Sequence, residues 1–345
     1  MSRYSFLDDY SEGCHPEILE VLTSTNLSQQ TAYGDDEYSA QARNLIRKQL
    51  GGKNIPIYFV AGGTLANIII TSAALKSHEA VISASTGHIV VRETGAIEAT
   101  GHKIITVESD NGKLTSDDVE EALASNAHYP HMAKPRLVYI SNATEAGTVY
   151  TKAELQSLSG VCRANNLLLL LDGARLGVAL TAGINDLTLN DIAELTDMFW
   201  IGGTKAGALI GEAILFPNEQ LADDFRFHVK QRGGLLAKGR LLGLQFMGLF
   251  SAGLFFDLSQ HANAMAQKIS AAVKECGYDF TAPTESNQIF PILPDELIEN
   301  LKESYDFYLW EKAENQHSVV RMVTSWATDE KQVDALIKEI RNGAA

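Results

Sequence analysis

Short runs of uninterrupted apolar residues alternate along this chain with stretches in which apolar positions recur every three or four residues. The runs are "IPIYFV" (55–60), "EAVISAS" (79–85), "HKIITVES" (102–109), "PRLVYISN" (135–142), "NLLLLLDGA" (166–174), "DMFWIGG" (197–203) and "EAILFP" (212–217). Several are apolar throughout, which suits strands covered on both faces. Helix starts lie between them. "TSDDVEEALAS" opens at Thr115 with a run of acids, and "TKAELQSLSGVCRAN" opens at Thr151 with Glu154 three residues on, a capping-box pattern. Strand, helix and strand at this spacing predict an α/β fold with a mostly parallel seven-stranded sheet and helices on both faces. Beyond about residue 250 the texture changes. A long amphipathic segment, "SQHANAMAQKISAAVKECG", leads into short strand and helix patterns such as "QIFPIL", "FYLWEK", "SVVRMVTSW" and "EKQVDALIKEI". The expected division is a large α/β domain at 1–250 and a smaller α+β C-terminal domain at 251–345.

Composition narrows the function classes. With 345 residues and 45% hydrophobic positions, the chain can bury a large core. It carries 28 Lys+Arg against 43 Asp+Glu, a formal charge of −15, and no basic cluster. That balance argues against nucleic acid or an anionic membrane as a partner. Cys14, Cys162 and Cys276 lie far apart with no CxxC spacing, so they read as reduced thiols rather than a disulfide or metal framework. No metal site is expected. The N-terminal "MSRYSFLDDYSEG" lacks the apolar centre of a signal peptide, and a cytoplasmic protein is the expectation.

Four pieces of chemistry fall where strands should end, the edge at which open α/β sheets collect ligands. In "FVAGGTLANIII" a strand runs into Gly62, Gly63 and Thr64 and then a helix; backbone N–H groups there make an anion cradle, although a plain turn uses the same residues. No GK[ST] follows, and no GxGxxG opens a βαβ unit, which sets aside a P-loop and a dinucleotide-dependent oxidoreductase. His88 follows a strand in "STGHIVVRETGA". Asp172 ends a five-leucine strand, where a carboxylate needs a cation, donors or a ligand; Arg175, three residues on, is a substrate contact or a structural ion-pair partner. Lys205 stands in "GGTKAG", about one βαβ step further. Cradle, aromatic ring, carboxylate and lysine in this order suit pyridoxal phosphate: anchors for its phosphate, a stacking face, an acid for its pyridine nitrogen and Lys205 as the Schiff-base amine. A binding protein without chemistry would not need that lysine.

The chain resembles the threonine aldolase group of fold-type I pyridoxal-phosphate enzymes, which includes β-eliminating lyase relatives. The resemblance rests on "TAYGDDEYSAQARNLIRKQLGG" (31–52), "AGGTLAN" (61–67), "TGHIVVRETGA" (86–96), "LLDGARLGVAL" (170–180), "GGTKAGALIGEA" (202–213) and "SVVRMVTSW" (318–326). It implies that Gly62, Gly63, Thr64, His88, Asp172, Arg175, Thr204 and Lys205 hold the cofactor. Arg175 and Arg321 would grip a substrate carboxylate, and Tyr33 would border the site, often that of a neighbouring subunit in a homodimer or homotetramer. The implied reaction is retro-aldol cleavage of a small β-hydroxy-α-amino acid such as threonine; β-elimination and transamination are the alternatives. Two departures bear on the substrate: Asp8 stands where the family commonly has serine, and Glu145 where it commonly has histidine. Glu145 and His88 are therefore the candidate bases. In "QRGGLLAKGRLLG", Arg232, Lys238 and Arg240 compete for a phosphate-binding role.

Overall fold

A computed structural model describes residues 3–343. After a two-residue strand β1 (Tyr4–Ser5), the seven apolar runs become β2 (Ile57–Val60), β3 (Glu79–Ala84), β4 (Ile104–Val107), β5 (Lys134–Ser141), β6 (Leu168–Asp172), β7 (Met198–Gly202) and β8 (Glu212–Leu215). They form one sheet in the order β2-β8-β7-β6-β5-β3-β4, parallel except where β8 runs antiparallel to both neighbours. Successive side chains of a strand point to opposite faces, and here both faces are covered. Val138, Ile140, Leu169, Leu171, Phe199 and Ile201 belong to one core, while Leu137, Tyr139, Leu168, Leu170, Met198 and Trp200 belong to the other. That is why the runs are apolar without alternation.

The helix signals act as capping boxes at Thr115–Asp118 and Thr151–Glu154. A third, Thr188–Asp191, opens the short helix Leu189–Leu195. Each hydroxyl accepts an N–H that the first helical turn would leave unpaired.

The C-terminal part contributes β9 (Gln288–Ile289), β10 (Ile292–Pro294), β11 (Tyr305–Asp306), β12 (Tyr308–Lys312) and β13 (His317–Val323). β13 lies between β10 and β12, with β9 also paired to it. Its core gathers Met265, Ile269, Leu293, Val320, Met322 and Leu336 around Phe6 from the N-terminal segment. That segment is strapped across the C-terminal part: β1 pairs in parallel with β11, and the Val323 N–H donates to the Phe6 carbonyl at 2.8 Å. The 22-residue helix Leu254–Glu275 buries Phe255 and Leu258 in a core on the seven-stranded sheet and Met265 and Ile269 in the C-terminal one. Among the described residues no single helix is long and apolar enough to cross a bilayer.

Candidate active site

The carboxyl ends of β3, β5, β6 and β7 bring the expected residues to one sheet edge. Asp172 ends β6 and is buried, so its charge needs donors from the protein. It has three. The Tyr139 hydroxyl of β5 and the Asn67 amide donate to Oδ2 at 2.5 and 3.1 Å, and the Ala174 N–H donates to Oδ1 at 2.9 Å. Burial, reinforced by the Asp172 charge, pushes the Tyr139 phenol well above its ordinary range, so it stays a donor.

Asn67 sits in helix Gly63–Ala74, the element that opens with the expected cradle. Its Oδ1 accepts the Trp200 indole N–H at 3.1 Å, which fixes the amide so that Nδ2 faces two carboxylates, Asp172 and Glu93. Gly63 is glycine because of the same indole: a Cβ there would lie 2.7 Å from the Trp200 ring. Gly62 faces open space and Thr64 is exposed, leaving the helix N-terminus accessible to an anion.

His88 opens the short helix Val91 closes, and its ring is half-buried. Nδ1 lies 2.8 Å from Oε1 of the buried Glu93, and the backbone N–H donates to Glu145 Oε1 at 3.1 Å. Glu145 Oε1 also accepts the Ser141 hydroxyl at 2.8 Å. Burial, followed by the nearby Asp172 charge, raises the Glu145 carboxyl above its usual range.

Lys205 lies in the turn after β7, with Nζ 5.7 Å from the centre of the Tyr10 ring and no salt bridge to any described residue. Burial and then the Arg175 charge lower its ammonium pKa, which favours the free amine that a nucleophile requires. The preceding Thr204 points to Glu212 at the start of β8: its hydroxyl donates to Oε1 at 2.9 Å, and the Gly203 N–H donates to Oε2 at 3.0 Å. Glu212 is buried, and desolvation raises its carboxyl to about 8. Thr204 thus tethers the lysine turn to β8.

Arg175 forms a buried bidentate pair with Asp9, Nε to Oδ2 at 2.7 Å and Nη2 to Oδ1 at 2.9 Å. The Asn287 amide donates to the same carboxylate at 2.9 Å. Burial alone would raise the Asp9 carboxyl, but the charges of Arg175 and Lys205 outweigh it and hold it at about 2. Of Arg175's nitrogens, Nη1 is the one not bound to Asp9. Arg321 on β13 has no acidic partner among the described residues. Nη2 donates to Gln288 Oε1 at 2.9 Å, and its guanidinium lies over the rings of Tyr308 and Trp310, 5.8 and 5.6 Å from their centres. Burial and the Arg175 charge lower it to about 10, still cationic at neutral pH. Asp8 is part of this wall, accepting the Tyr308 hydroxyl at 3.4 Å.

Tyr33 and the 231–240 segment lie together elsewhere. The Tyr33 N–H donates to the Ala237 carbonyl at 3.0 Å, Lys230 stands over its ring at 5.1 Å, and Gly239 packs so closely on Gly34 that a Cβ would sit 2.6 Å from its nitrogen. Tyr33 lines a cleft of about 250 Å³ with Arg43, Tyr58 and Arg226, whose walls include none of His88, Asp172 or Lys205. Arg240 is committed to the Ser28 and Thr25 carbonyls, Arg232 reaches the Ser72 hydroxyl, and Lys238 is exposed.

Sequence reasoning missed Asn67, Glu93, Tyr139, Asp9 and Glu212. Glu212 had a signal of the kind that exposed Asp172: a carboxylate heading an otherwise apolar strand.

The fold is that of the fold-type I enzymes. Thermus thermophilus aspartate aminotransferase superposes with a TM-score of 0.69 at 12% identity, covering 99% of this chain and 91% of that one. Residues 8–295 match the family described as beta-eliminating lyase, and the chain belongs to that family. It is 36% identical over 341 residues to a low specificity L-threonine aldolase of a Pseudomonas species, covering 97% of this chain and 96% of the relative. A solved Leishmania major threonine aldolase aligns with a TM-score of 0.97 at 46% identity, over 99% of this chain and 100% of that one.

Proposed function

We propose that this enzyme cleaves small β-hydroxy-α-amino acids, threonine and allo-threonine among them, to glycine and acetaldehyde, using pyridoxal phosphate. One observation carries the reading: a buried Asp172, held by three donors that leave a lone pair on Oδ1, stands one strand from a partly buried lysine whose amine is unpaired and lowered in pKa. The residues fit the cofactor. Asp172 would hold the pyridine nitrogen, the half-buried His88 ring offers a stacking face, and Gly62, Gly63 and Thr64 offer an accessible helix N-terminus to the phosphate. Lys205 would hold the aldehyde carbon. When bound, the cofactor supplies an electron sink for the bond broken at Cα.

The remaining work belongs to the chain. Arg321, with the free Nη1 of Arg175, presents guanidinium donors to a substrate carboxylate, and Asp9 keeps Arg175 from turning away. His88 and Glu145, joined through the His88 backbone N–H, would take the β-hydroxyl proton as the Cα–Cβ bond breaks. The two-domain arrangement, with helix Leu254–Glu275 shared between the cores, and a cytoplasmic location belong to the same proposal.

Assembly is part of it too. Tyr33 and the 231–240 segment pack on each other away from Lys205, beside exposed Leu27, Phe227 and Leu241. A second copy docked there would receive Tyr33 and Lys238 at its own site, giving a homodimer or a homotetramer of dimers.

The test is to incubate the purified protein with L-threonine and follow acetaldehyde and glycine. Lys205→Ala should abolish turnover and the covalent attachment of the cofactor seen after borohydride reduction. Release of a keto acid or ammonia without acetaldehyde would favour transamination or β-elimination instead.

A further inference from the structure

Glu93 lies outside the groups expected to touch cofactor or substrate, yet it is fully buried and points into the site. Its Oε1 receives the Asn67 amide at 2.8 Å and stands 2.8 Å from His88 Nδ1, while Oε2 is buried with no partner. This arrangement constrains where the protons are. Asn67 must donate, because its Oδ1 is taken by the Trp200 indole N–H. A proton carried by Glu93 on Oε2 would find no acceptor. Oε1 already accepts from Asn67, and as a carboxylate oxygen it accepts on its second lone pair too, which puts the hydrogen between Glu93 and His88 on Nδ1.

We propose that Glu93 is a positioning residue: held by Trp200 and Asn67, it locks His88 as the Nδ1–H tautomer and reserves Nε2, with its lone pair, as the site's proton acceptor. The proposal rests on the aldolase reading and deepens it, because it assigns the β-hydroxyl proton to His88 Nε2. The proton moves from the substrate oxygen to that nitrogen as the Cα–Cβ electrons leave Cβ, and the oxygen keeps its pair as the carbonyl of acetaldehyde. Glu145, raised by burial and already accepting from Ser141 and the His88 N–H through one oxygen, is then a neighbour that holds the His88 backbone in place. The same Asn67 amide donates to Asp172, so one side chain aligns the acid expected under the pyridine nitrogen and the acid behind the histidine.

The experiment is long-range 1H–15N correlation spectroscopy on the full chain labelled at its nine histidines, with the His88 signals assigned by their loss in His88→Asn. At neutral pH without cofactor, His88 should show a protonated Nδ1 and a bare Nε2, although free imidazole side chains favour the opposite tautomer. Glu93→Gln keeps a neutral acceptor and should retain that tautomer; Glu93→Leu should let the Nε2–H form appear. In kinetics, Glu93→Leu should lower kcat by roughly 10²-fold, the lower end of what a positioned base supplies, with little change in KM. Adding it to His88→Asn should cost almost nothing further. A protonated Nε2 in the wild-type protein, or multiplicative losses in the double variant, would overturn the proposal. The spectra need no substrate, so they decide the tautomer even if threonine proves not to be cleaved; failure of the aldolase reading would show separately as absent acetaldehyde.

Discussion

The floor of the site and its rim are built differently. On the floor, Asp172, Asn67, Glu93, Tyr139 and the Arg175–Asp9 pair are packed among strands, and one chain supplies every partner they have. The rim, where Thr64 is exposed, would be completed by Tyr33 and Lys238 of a second copy; on their own chain both are exposed away from Lys205, and Tyr33 bonds only to its own edge of the molecule among the described residues. A finished floor beside an unfinished rim separates two kinds of residue. Substitutions in the floor should alter stability and chemistry at any protein concentration, whereas those at the rim should act through assembly.

The largest expected effect is at Asp9. Asp9→Asn breaks a buried bidentate pair and strands Arg175, a loss of about 3–5 kcal/mol in urea unfolding together with most of the activity. The pH dependence has a definite sign. With its folded value held at about 2 against an ordinary 3.8, Asp9 contributes stability that is present above about pH 3.8 and drains away as pH falls toward 2. The wild type should therefore lose its advantage over Asp9→Asn in that window. Equal unfolding midpoints for the two proteins at pH 7 would place Asp9 with the rim.

Glu212 gives the opposite slope. Its carboxyl is raised from 4.5 to about 8, so the folded protein keeps the proton where the unfolded chain has released it, and its contribution fades as pH rises from 4.5 to 8. Thermal unfolding of Glu212→Gln, which cannot titrate, should gain on the wild type across that range, by a few kcal/mol at most at about 1.4 kcal/mol per pKa unit. A pH-independent difference would mean that Glu212 stays ionised beside Lys205.

The smallest effect is assigned to the rim. Tyr33→Ala should leave the unfolding midpoint within about 0.5 kcal/mol, as surface changes do, while lowering specific activity roughly tenfold. The loss should deepen on dilution if Tyr33 serves a neighbouring subunit. An activity loss independent of enzyme concentration, with unchanged mass by light scattering, would return Tyr33 to its own chain's site.

The sheet was legible because a strand buried on both faces leaves a contiguous apolar run, as in "LLLLLD", and Asp172 stood out because a carboxylate has no cheap place at the end of one. Thr115 and Thr151 were legible for a local reason, since a capping box closes within three residues. The floor's polar partners were not. Asn67 meets Asp172 across 105 positions and Arg175 meets Asp9 across 166, and an Asn inside a helix or an Asp near a chain end looks like any solvated one until the sheet is assembled. Glu93, in "VVRETGA", reads as a turn acid; only the burial of its side chain reveals what it does.

The N-terminal strap has a consequence for how the protein is made. Residues 4–9 leave the ribosome some 300 residues ahead of their docking partners, β11 and β13. At about 5–20 residues per second of synthesis, the strap waits on the order of tens of seconds before Phe6 can enter its core. Asp9 travels with it, so Arg175 gains its counter-charge only once β11 and β13 have been made, and the charge balance beside Lys205 is completed by a stretch synthesised long before the surface it docks on.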